Sequence, residues 1–186
     1  MSDIRPIETR YKGYRFRSRL EARWAVFFDV LGIEWEYEPQ GYDVNGRPYL
    51  PDFYLSQLRV YAEVKPTPGS ACEHDKLFRS FSETVGSIIV LAGVPFENFG
   101  RIYSRDVTCS SAGHADFDAL IDVVAGEPMI LFVSLAHSDC RWLADADWTH
   151  LPAVAYQTHP LIRPSNAWWK ACAAARSARF EHGERG

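Results

Sequence analysis

The chain has 186 residues, of which 47% are hydrophobic and 24% are charged, a composition typical of one globular domain and unlike that of a disordered segment. Its formal net charge is −4, which argues against a protein that coats nucleic acid without specificity. No apolar run is long enough to cross a bilayer. We therefore expect a cytoplasmic protein that forms a single domain over residues 1–186 and has no membrane partner.

The basic side chains are unevenly distributed along the chain. Residues 1–24 contain seven basic and three acidic side chains, so this segment is a candidate docking surface for a polyanion. A solvated charged face explains the same count, because a linear count does not show which side chains share a surface. The four cysteines form no CxxC pair, so we expect neither a disulfide framework nor a zinc ribbon.

The first predicted element is an amphipathic helix that begins after Ser18 and ends at Gly32. Serine is a preferred residue at the start of a helix, and glycine is a preferred residue just after its end. Between them, apolar side chains recur at a spacing of three and four residues. These apolar residues are Leu20, Trp24, Phe27, Phe28 and Leu31.

Three strand-like runs follow this helix and predict a β-meander. They have the sequences EWEYEP, RPYLPDFYL and RVYAEVKP, and they occupy residues 34–39, 47–55 and 59–66. Aromatic and β-branched residues are frequent in all three runs, and turn-forming residues separate them.

A second helix is predicted over residues 73–84, where Leu77, Phe78 and Phe81 have helical spacing, and the run SIIVLAGV then predicts a buried strand. The predicted elements therefore follow the order helix, three strands, helix and strand. Residues 95–163 are expected to form a loop-rich extension. A final helix, capped by Ser165, is expected at about residues 165–182.

The second and third strand-like runs can form a hairpin with the two-residue turn Gln57-Leu58, in which the numbers of opposite residues add up to 115. In this register Phe53 and Leu55 lie on one apolar face, and the Asp52 side chain lies on the other. A shift of this register by one residue would move Asp52 to the opposite face of the sheet from Glu63.

The same register places Asp52 opposite Glu63, which would bring two carboxylates close enough to repel each other. A divalent cation bound by both would compensate, because Mg²⁺ in proteins is commonly bound by one or two carboxylates together with water and substrate phosphate. Lys65 projects from the same face as Glu63 and can orient an attacking water. The alternative is an ordinary ion pair in which Lys65 simply neutralises one carboxylate.

Glu21 is compatible with two roles. Ser18 and Glu21 match the capping box, in which the glutamate accepts a backbone hydrogen bond at the start of the helix. Glu21 would also lie one turn into a helix that packs near the sheet, where a third carboxylate could hold a metal ion or its water. The sequence alone leaves both roles open, and we favour the role in the metal site.

Basic residues near the two ends of the chain are candidates for sequence-independent phosphate contacts. Three precede the first helix, namely Arg15, Arg17 and Arg19, and three lie on the predicted final helix, namely Lys170, Arg176 and Arg179. Arg176 and Arg179 are expected to share a face of that helix.

The segment Pro51-Asp52, followed by Glu63-Val64-Lys65 and preceded by a helix that carries Glu21, resembles the PD-(D/E)xK nuclease superfamily. The segment FRSRLEARWAVFFDVLGIEWEYEP is similar to small phage and actinobacterial nuclease-like proteins of that superfamily. The resemblance covers about residues 14–94. It implies an α/β (α+β) fold with a restriction-endonuclease-like αβββαβ core, in which helices flank a mixed sheet.

The resemblance also implies a function and roles for particular residues. The function is that of a Mg²⁺- or Mn²⁺-dependent DNA endonuclease, in which Asp52 and Glu63 bind the metal ion together with the Val64 carbonyl. Lys65 would position the water, and Glu21 would be the acidic residue of the first helix. Lys76 would be the polar residue of the second helix and would contact the DNA.

Two other functions remain open. A catalytically inactive nucleic-acid-binding or assembly module could use the same fold, and a hydrolase of nucleotides or other small phosphoesters could use the same site. A concerted double-strand cut by a chain with one site would require a homodimer, which no feature of the sequence establishes.

Overall fold

The computed structural model describes residues 7–95, 100–109, 113–124, 126–133, 154–155 and 164–180. The chain begins with β1 (Thr9–Tyr11), β2 (Tyr14–Phe16), α1 (Arg19–Leu31), β3 (Trp35–Tyr37), β4 (Tyr42–Val44), β5 (Arg47–Tyr49), β6 (Phe53–Leu55) and β7 (Val60–Lys65). It continues with α2 (Pro68–Cys72), α3 (Asp75–Thr84), β8 (Ile88–Ala92), β9 (Gly100–Cys109), β10 (Gly113–Val124), β11 (Glu127–Val133), β12 (Val154–Ala155) and α4 (Asn166–Ser177).

The protein has an α+β fold built on a mixed sheet of eight strands in the order β12-β11-β10-β9-β8-β7-β6-β3. Strands β7 and β8 pair in parallel, as do β11 and β12, and the other neighbours are antiparallel. All five residues of β8 are buried, because helices or the β4–β5 hairpin cover both faces of the sheet at this point.

The two faces of the sheet have different coverings. Ile89 and Leu91 of β8 belong to a core that also includes residues of α1 and α4. Ile88 and Val90 belong to a second core with α3 and the β4–β5 hairpin. This division follows from the alternation of side chains along a strand.

Helix α1 has the limits that the sequence predicts. The Ser18 hydroxyl accepts a hydrogen bond from the Glu21 backbone N–H, and Gly32 ends the helix with a positive φ of 72°. The Trp24 indole donates a hydrogen bond to the Gly93 carbonyl over 3.0 Å. This contact holds the first turns of α1 near the carboxyl ends of β7 and β8.

The predicted register of the β6–β7 hairpin is confirmed. Phe53 pairs with Ala62, Tyr54 with Tyr61, and Leu55 with Val60, so the residue numbers in each pair add up to 115. The predicted two-residue turn is wrong, because the connection contains the four residues 56–59, with hydrogen bonds from Leu58 to Leu55 and from Arg59 to Ser56.

The run RPYLPDFYL does not form one strand, contrary to the sequence prediction. It divides into β5 and β6, and β5 pairs with β4 in a separate two-stranded sheet. Pro51 lies at the break, where a residue without a backbone N–H is tolerated but a continuous central strand is not. The simple three-strand meander is therefore interrupted by an additional hairpin over residues 42–49.

Residues 95–163 are not uniformly loop-rich. Within this range β9, β10 and β11 extend the sheet beyond β8 in antiparallel order. Their frequent aspartate and glycine residues are depleted in strands generally, and pairing with neighbouring strands overrides that propensity.

The final helix α4 begins after Ser165, as predicted, but it ends at Ser177 rather than near residue 182. The predicted terminator, Gly183, lies outside the described residues. Arg179 follows the end of α4, so it does not share a helical face with Arg176. None of the helices in the described part of the chain is long and apolar enough to span a membrane.

Candidate active site

Asp52 directly precedes β6 and is held in place by hydrogen bonds to two neighbouring segments. Its carbonyl accepts a hydrogen bond from the Glu38 backbone N–H over 2.9 Å. Its carboxylate oxygen Oδ2 accepts one from the Val64 backbone N–H over 2.8 Å. The Asp52 carboxylate is thereby hydrogen-bonded to the backbone of the neighbouring strand β7. Asp52 is only 5% exposed.

Glu63 lies on β7, and both of its carboxylate oxygens have protein donors. Lys65 donates from Nζ to Oε1 over 2.7 Å, and the Tyr49 hydroxyl donates to Oε2 over 2.7 Å. Glu63 is 6% exposed. The alternation of side chains along β7 places Lys65 on the same face as Glu63, as the sequence predicts.

Glu21 lies in the first turn of α1 and makes the contacts expected of a helix cap. Its backbone and carboxylate both bond to the Ser18 hydroxyl, as in a helix cap. Its other oxygen, Oε2, accepts hydrogen bonds from the Arg17 backbone N–H over 3.1 Å and from the Tyr37 hydroxyl over 2.6 Å. Glu21 is buried and also reaches the candidate site.

These side chains share one cavity with a volume of about 620 Å³. Its lining includes six of the residues predicted from the sequence to bind metal ion, DNA or water: Arg17, Glu21, Asp52, Glu63, Val64 and Lys65. The cavity lies where the first turn of α1, the end of β7 and the β4–β5 hairpin meet.

Burial and neighbouring negative charge raise the pKa of Asp52 well above its ordinary value. Burial is the largest cause, followed by the charges of Glu63 and Glu21. The hydrogen bond from Val64 and the charge of Arg17 oppose the shift without cancelling it. A carboxyl with a shifted pKa in a cleft is typical of functional sites, because such sites are arranged to alter protonation.

Tyrosine hydroxyls support two of the three carboxylates. Burial, followed by the charge and hydrogen bond of Glu63, raises the pKa of Tyr49 above its ordinary value. Burial and the hydrogen bond to Glu21 raise the pKa of Tyr37 in the same way. Both hydroxyls therefore stay protonated at neutral pH and act as donors.

Arg17, predicted to contact phosphate, is paired with two carboxylates of the protein itself. Its guanidinium contacts Asp52 Oδ1 over 3.1 Å and Glu38 Oε1 over 2.6 Å. The side chain is nevertheless 56% exposed. Arg17 therefore lies at the rim of the cavity, with one side on a buried carboxylate and the other in solvent.

The other predicted phosphate-contact residues do not line this cavity. Arg15 is exposed and pairs with Glu8. Four of the others are exposed, namely Lys76, Lys170, Arg176 and Arg179. Arg19 is partly buried.

Sequence reasoning did not assign Arg47, Tyr49 and His74 to the site, although all three line the cavity. Arg47 and Tyr49 belong to the hairpin that the sequence prediction merged into a longer strand. The Asn45-Gly46 dipeptide was the available signal, because it favours a two-residue hairpin turn. His74 precedes α3 and carried no comparable signal.

Carboxylate oxygens are the ligands that a hard divalent cation prefers. Asp52 and Glu63 offer carboxylate oxygens with remaining lone pairs, and Glu21 offers a third carboxylate beside them. Within the part of the chain that the structure describes, no group of three or more His, Cys, Asp or Glu side chains has the geometry of a metal cluster. Mg²⁺ needs only one or two carboxylates when water and phosphate complete its shell.

The chain matches no family model, no curated protein and no solved structure.

Proposed function

We propose that this protein is a metal-dependent nuclease that hydrolyses phosphodiester bonds of DNA as an endonuclease, with Mg²⁺ or Mn²⁺ as its cofactor. The observation that carries the proposal is the presence of two buried carboxylates and a lysine, Asp52, Glu63 and Lys65, in the lining of one open cavity. Burying like charges is costly. A bound cation gives this arrangement a physical reason.

The order of elements supports the same proposal at the level of the fold. Helix α1 precedes β3, β6 and β7, and α3 and β8 follow. With the β4–β5 hairpin taken as an insertion, this order corresponds to the αβββαβ core of the PD-(D/E)xK superfamily. We propose that the core is of this restriction-endonuclease-like type.

Each residue of the site has a chemical role in the proposed reaction. A divalent cation held by Asp52 and Glu63 would supply Lewis-acid chemistry, which activates water near neutral pH and stabilises charge on phosphoryl oxygens. Lys65 holds Glu63 by an ion pair and, in the proposed reaction, would position the attacking water. The Tyr49 hydroxyl fixes the other oxygen of Glu63, so the carboxylate stays oriented.

One observation favours a second function, that of a catalytically inactive nucleic-acid-binding module. All four carboxylate oxygens of Asp52 and Glu63 already receive a hydrogen bond from the protein. A fully satisfied network of this kind can be purely structural. The nuclease proposal requires that the remaining lone pairs bind a cation or that Arg17 moves aside.

A cleavage panel tests the proposal. Covalently closed circular, linear, nicked, branched and single-stranded DNA, together with RNA and mononucleotides, are incubated with Mg²⁺, with Mn²⁺ and with a chelator. The nuclease proposal predicts metal-dependent cutting of DNA, including covalently closed circles, which have no ends. Retention of DNA without cleavage in either metal would support the inactive module, and hydrolysis of mononucleotides alone would support a small-phosphoester hydrolase.

A further inference from the structure

Strands β4 and β5 form a hairpin that makes one wall of the cavity, through Arg47, Pro48 and Tyr49. The role that we infer for this hairpin rests on the proposed nuclease function and extends it. The hairpin is a separate two-stranded sheet that lies over β7 and α3. Its side chains therefore face the candidate site from outside the main sheet.

The register of the hairpin determines where Arg47 points. Tyr42 pairs with Tyr49 and Val44 with Arg47, so these four side chains share one face. On that face Val44 is 2% exposed and Tyr49 donates its hydroxyl to Glu63. Arg47 consequently extends from the face directed at the body of the protein, two residues from the tyrosine that holds Glu63.

Local contacts make this hairpin a rigid support. Asn45 and Gly46 have φ values of 55° and 79°, as the tight turn requires, and the Gly46 N–H bonds to the Asp43 carboxylate over 2.7 Å. The rings of Tyr42 and Tyr49 pack edge-on against Phe81 of α3, with centroid distances of 5.4 and 5.2 Å. The position of Arg47 is thus fixed by a turn on one side and an aromatic cluster on the other.

Charge pairing distinguishes Arg47 from the other cations of the cavity. Arg17 is paired with Asp52 and Glu38, and Lys65 is paired with Glu63. Among the described residues, no carboxylate lies within ion-pair distance of Arg47, which is exposed. An exposed guanidinium that faces a cavity, with no carboxylate partner in the described part of the chain, is suited to a two-pronged contact with phosphate oxygens.

We propose that Arg47 binds a backbone phosphate of the DNA held at this cavity and thereby positions the strand against Asp52, Glu63 and Lys65. The contact is to the phosphodiester and carries no base preference. Arg47 is a substrate-binding and positioning residue, and the hairpin is the element that presents it.

The test is the affinity of the purified protein for a short fluorescent DNA duplex, with Ca²⁺ in place of Mg²⁺, over a series of salt concentrations. The variants are Arg47→Ala and Arg47→Lys. The matched control is Arg59→Ala, which removes an exposed arginine within the β6–β7 turn, outside the cavity. Circular dichroism and thermal unfolding establish that all variants are folded.

We expect Arg47→Ala to weaken binding about tenfold for every duplex sequence and to reduce the slope of log affinity against log salt by about 0.9. Arg47→Lys should restore the slope and part of the affinity, because it keeps the charge but loses the second hydrogen bond. Arg59→Ala should match the unaltered protein. Equal affinities for Arg47→Ala and Arg59→Ala, or no DNA binding by the unaltered protein, would overturn the inference.

The failure of this inference can be separated from the failure of the nuclease proposal by measuring Mg²⁺-dependent cleavage of the same duplexes. Cleavage by the unaltered protein together with unchanged affinity in Arg47→Ala overturns the phosphate contact only. Arg47-dependent binding without any cleavage supports the phosphate contact and contradicts the nuclease proposal.

Discussion

At the scale of single residues, Asp52 is a buried carboxylate whose ionised form is energetically unfavourable. It lies in the interior beside two further carboxylates, and its principal compensation is the backbone N–H of Val64 and one arginine at the rim. Its ionised form is therefore destabilising in the absence of an added cation.

The first prediction concerns Asp52→Asn in a chelating buffer. Because the folded-state pKa of Asp52 is raised, its contribution to stability is fully present below the unfolded pKa and is lost as the pH rises through the folded pKa. The neutral variant should therefore unfold at a higher temperature than the unaltered protein at about pH 8. The expected gain is a few degrees, since ~1 kcal/mol corresponds to about 2–4 °C at this chain length.

The difference between the two proteins should shrink as the pH is lowered towards the ordinary range of carboxyl groups. Glu36→Gln serves as the control, since Glu36 is an exposed carboxylate on β3. A loss of thermal stability in Asp52→Asn at alkaline pH would contradict the assigned direction of the pKa shift.

The second prediction separates the two roles of Glu21. Glutamine can retain an acceptor for the Arg17 N–H and the Tyr37 hydroxyl, so Glu21→Gln should leave the unfolding temperature nearly unchanged. It removes the negative charge from the cavity, so we expect DNA nicking to fall by about tenfold or more. Nicking assays and thermal unfolding of the same preparation check both parts, and undiminished nicking would leave Glu21 with the capping role alone.

At the scale of elements, the sequence predicted best what depends on local patterns. The limits of α1 follow from Ser18 and Gly32, and the register of the β6–β7 hairpin follows from its apolar face, where Phe53 and Ala62 are fully buried. That register was sufficient to place the side chains of Asp52 and Glu63 together at one cavity.

The elements that were missed depend on tertiary context. The break at Pro51 separates two strands that belong to different sheets, and no periodicity distinguishes this from a single edge strand. Strands β9 and β10 contain glycine and aspartate, and only their neighbours make them strands. The involvement of Arg47 in the site could not be predicted because it depends on where a separate hairpin packs.

A third prediction tests how α4 is attached to the sheet. Asp122 of β10 is 1% exposed and accepts hydrogen bonds from the Ser165 N–H and hydroxyl over 2.7 and 2.6 Å. The same hydroxyl caps α4 at Trp168. Ser165→Ala should therefore reduce the free energy of unfolding by about 1–2 kcal/mol.

Urea denaturation measures this loss, and Ser177→Ala is the matched control. Ser177 lies at the other end of α4, is exposed, and bonds only to a carbonyl of its own helix among the described contacts. Its replacement should change stability by less than about 0.5 kcal/mol. Equal losses in the two variants would show that Asp122 does not anchor the helix.

At the scale of the whole molecule, the sheet brings together residues from distant parts of the chain. The carboxyl end of β7 carries Glu63 and Lys65, α1 supplies Glu21 from one side, and the β4–β5 hairpin supplies Tyr49 and Arg47 from the other. The basic residues predicted to bind DNA are scattered, and of these only Arg17 reaches the cavity. We therefore propose that phosphate binding depends on Arg17 and Arg47, which line the cavity.

The measurement that tests the central proposal most directly is plasmid nicking in Mn²⁺ by Glu63→Gln, with Glu36→Gln as the matched control. Both variants remove one carboxylate charge from a strand of the same sheet, but only Glu63 lines the cavity. We predict that the unaltered protein and Glu36→Gln nick the plasmid only when metal is present, and that Glu63→Gln loses at least about a hundredfold in rate. Equal nicking by the two variants, or no nicking by the unaltered protein, would contradict the account.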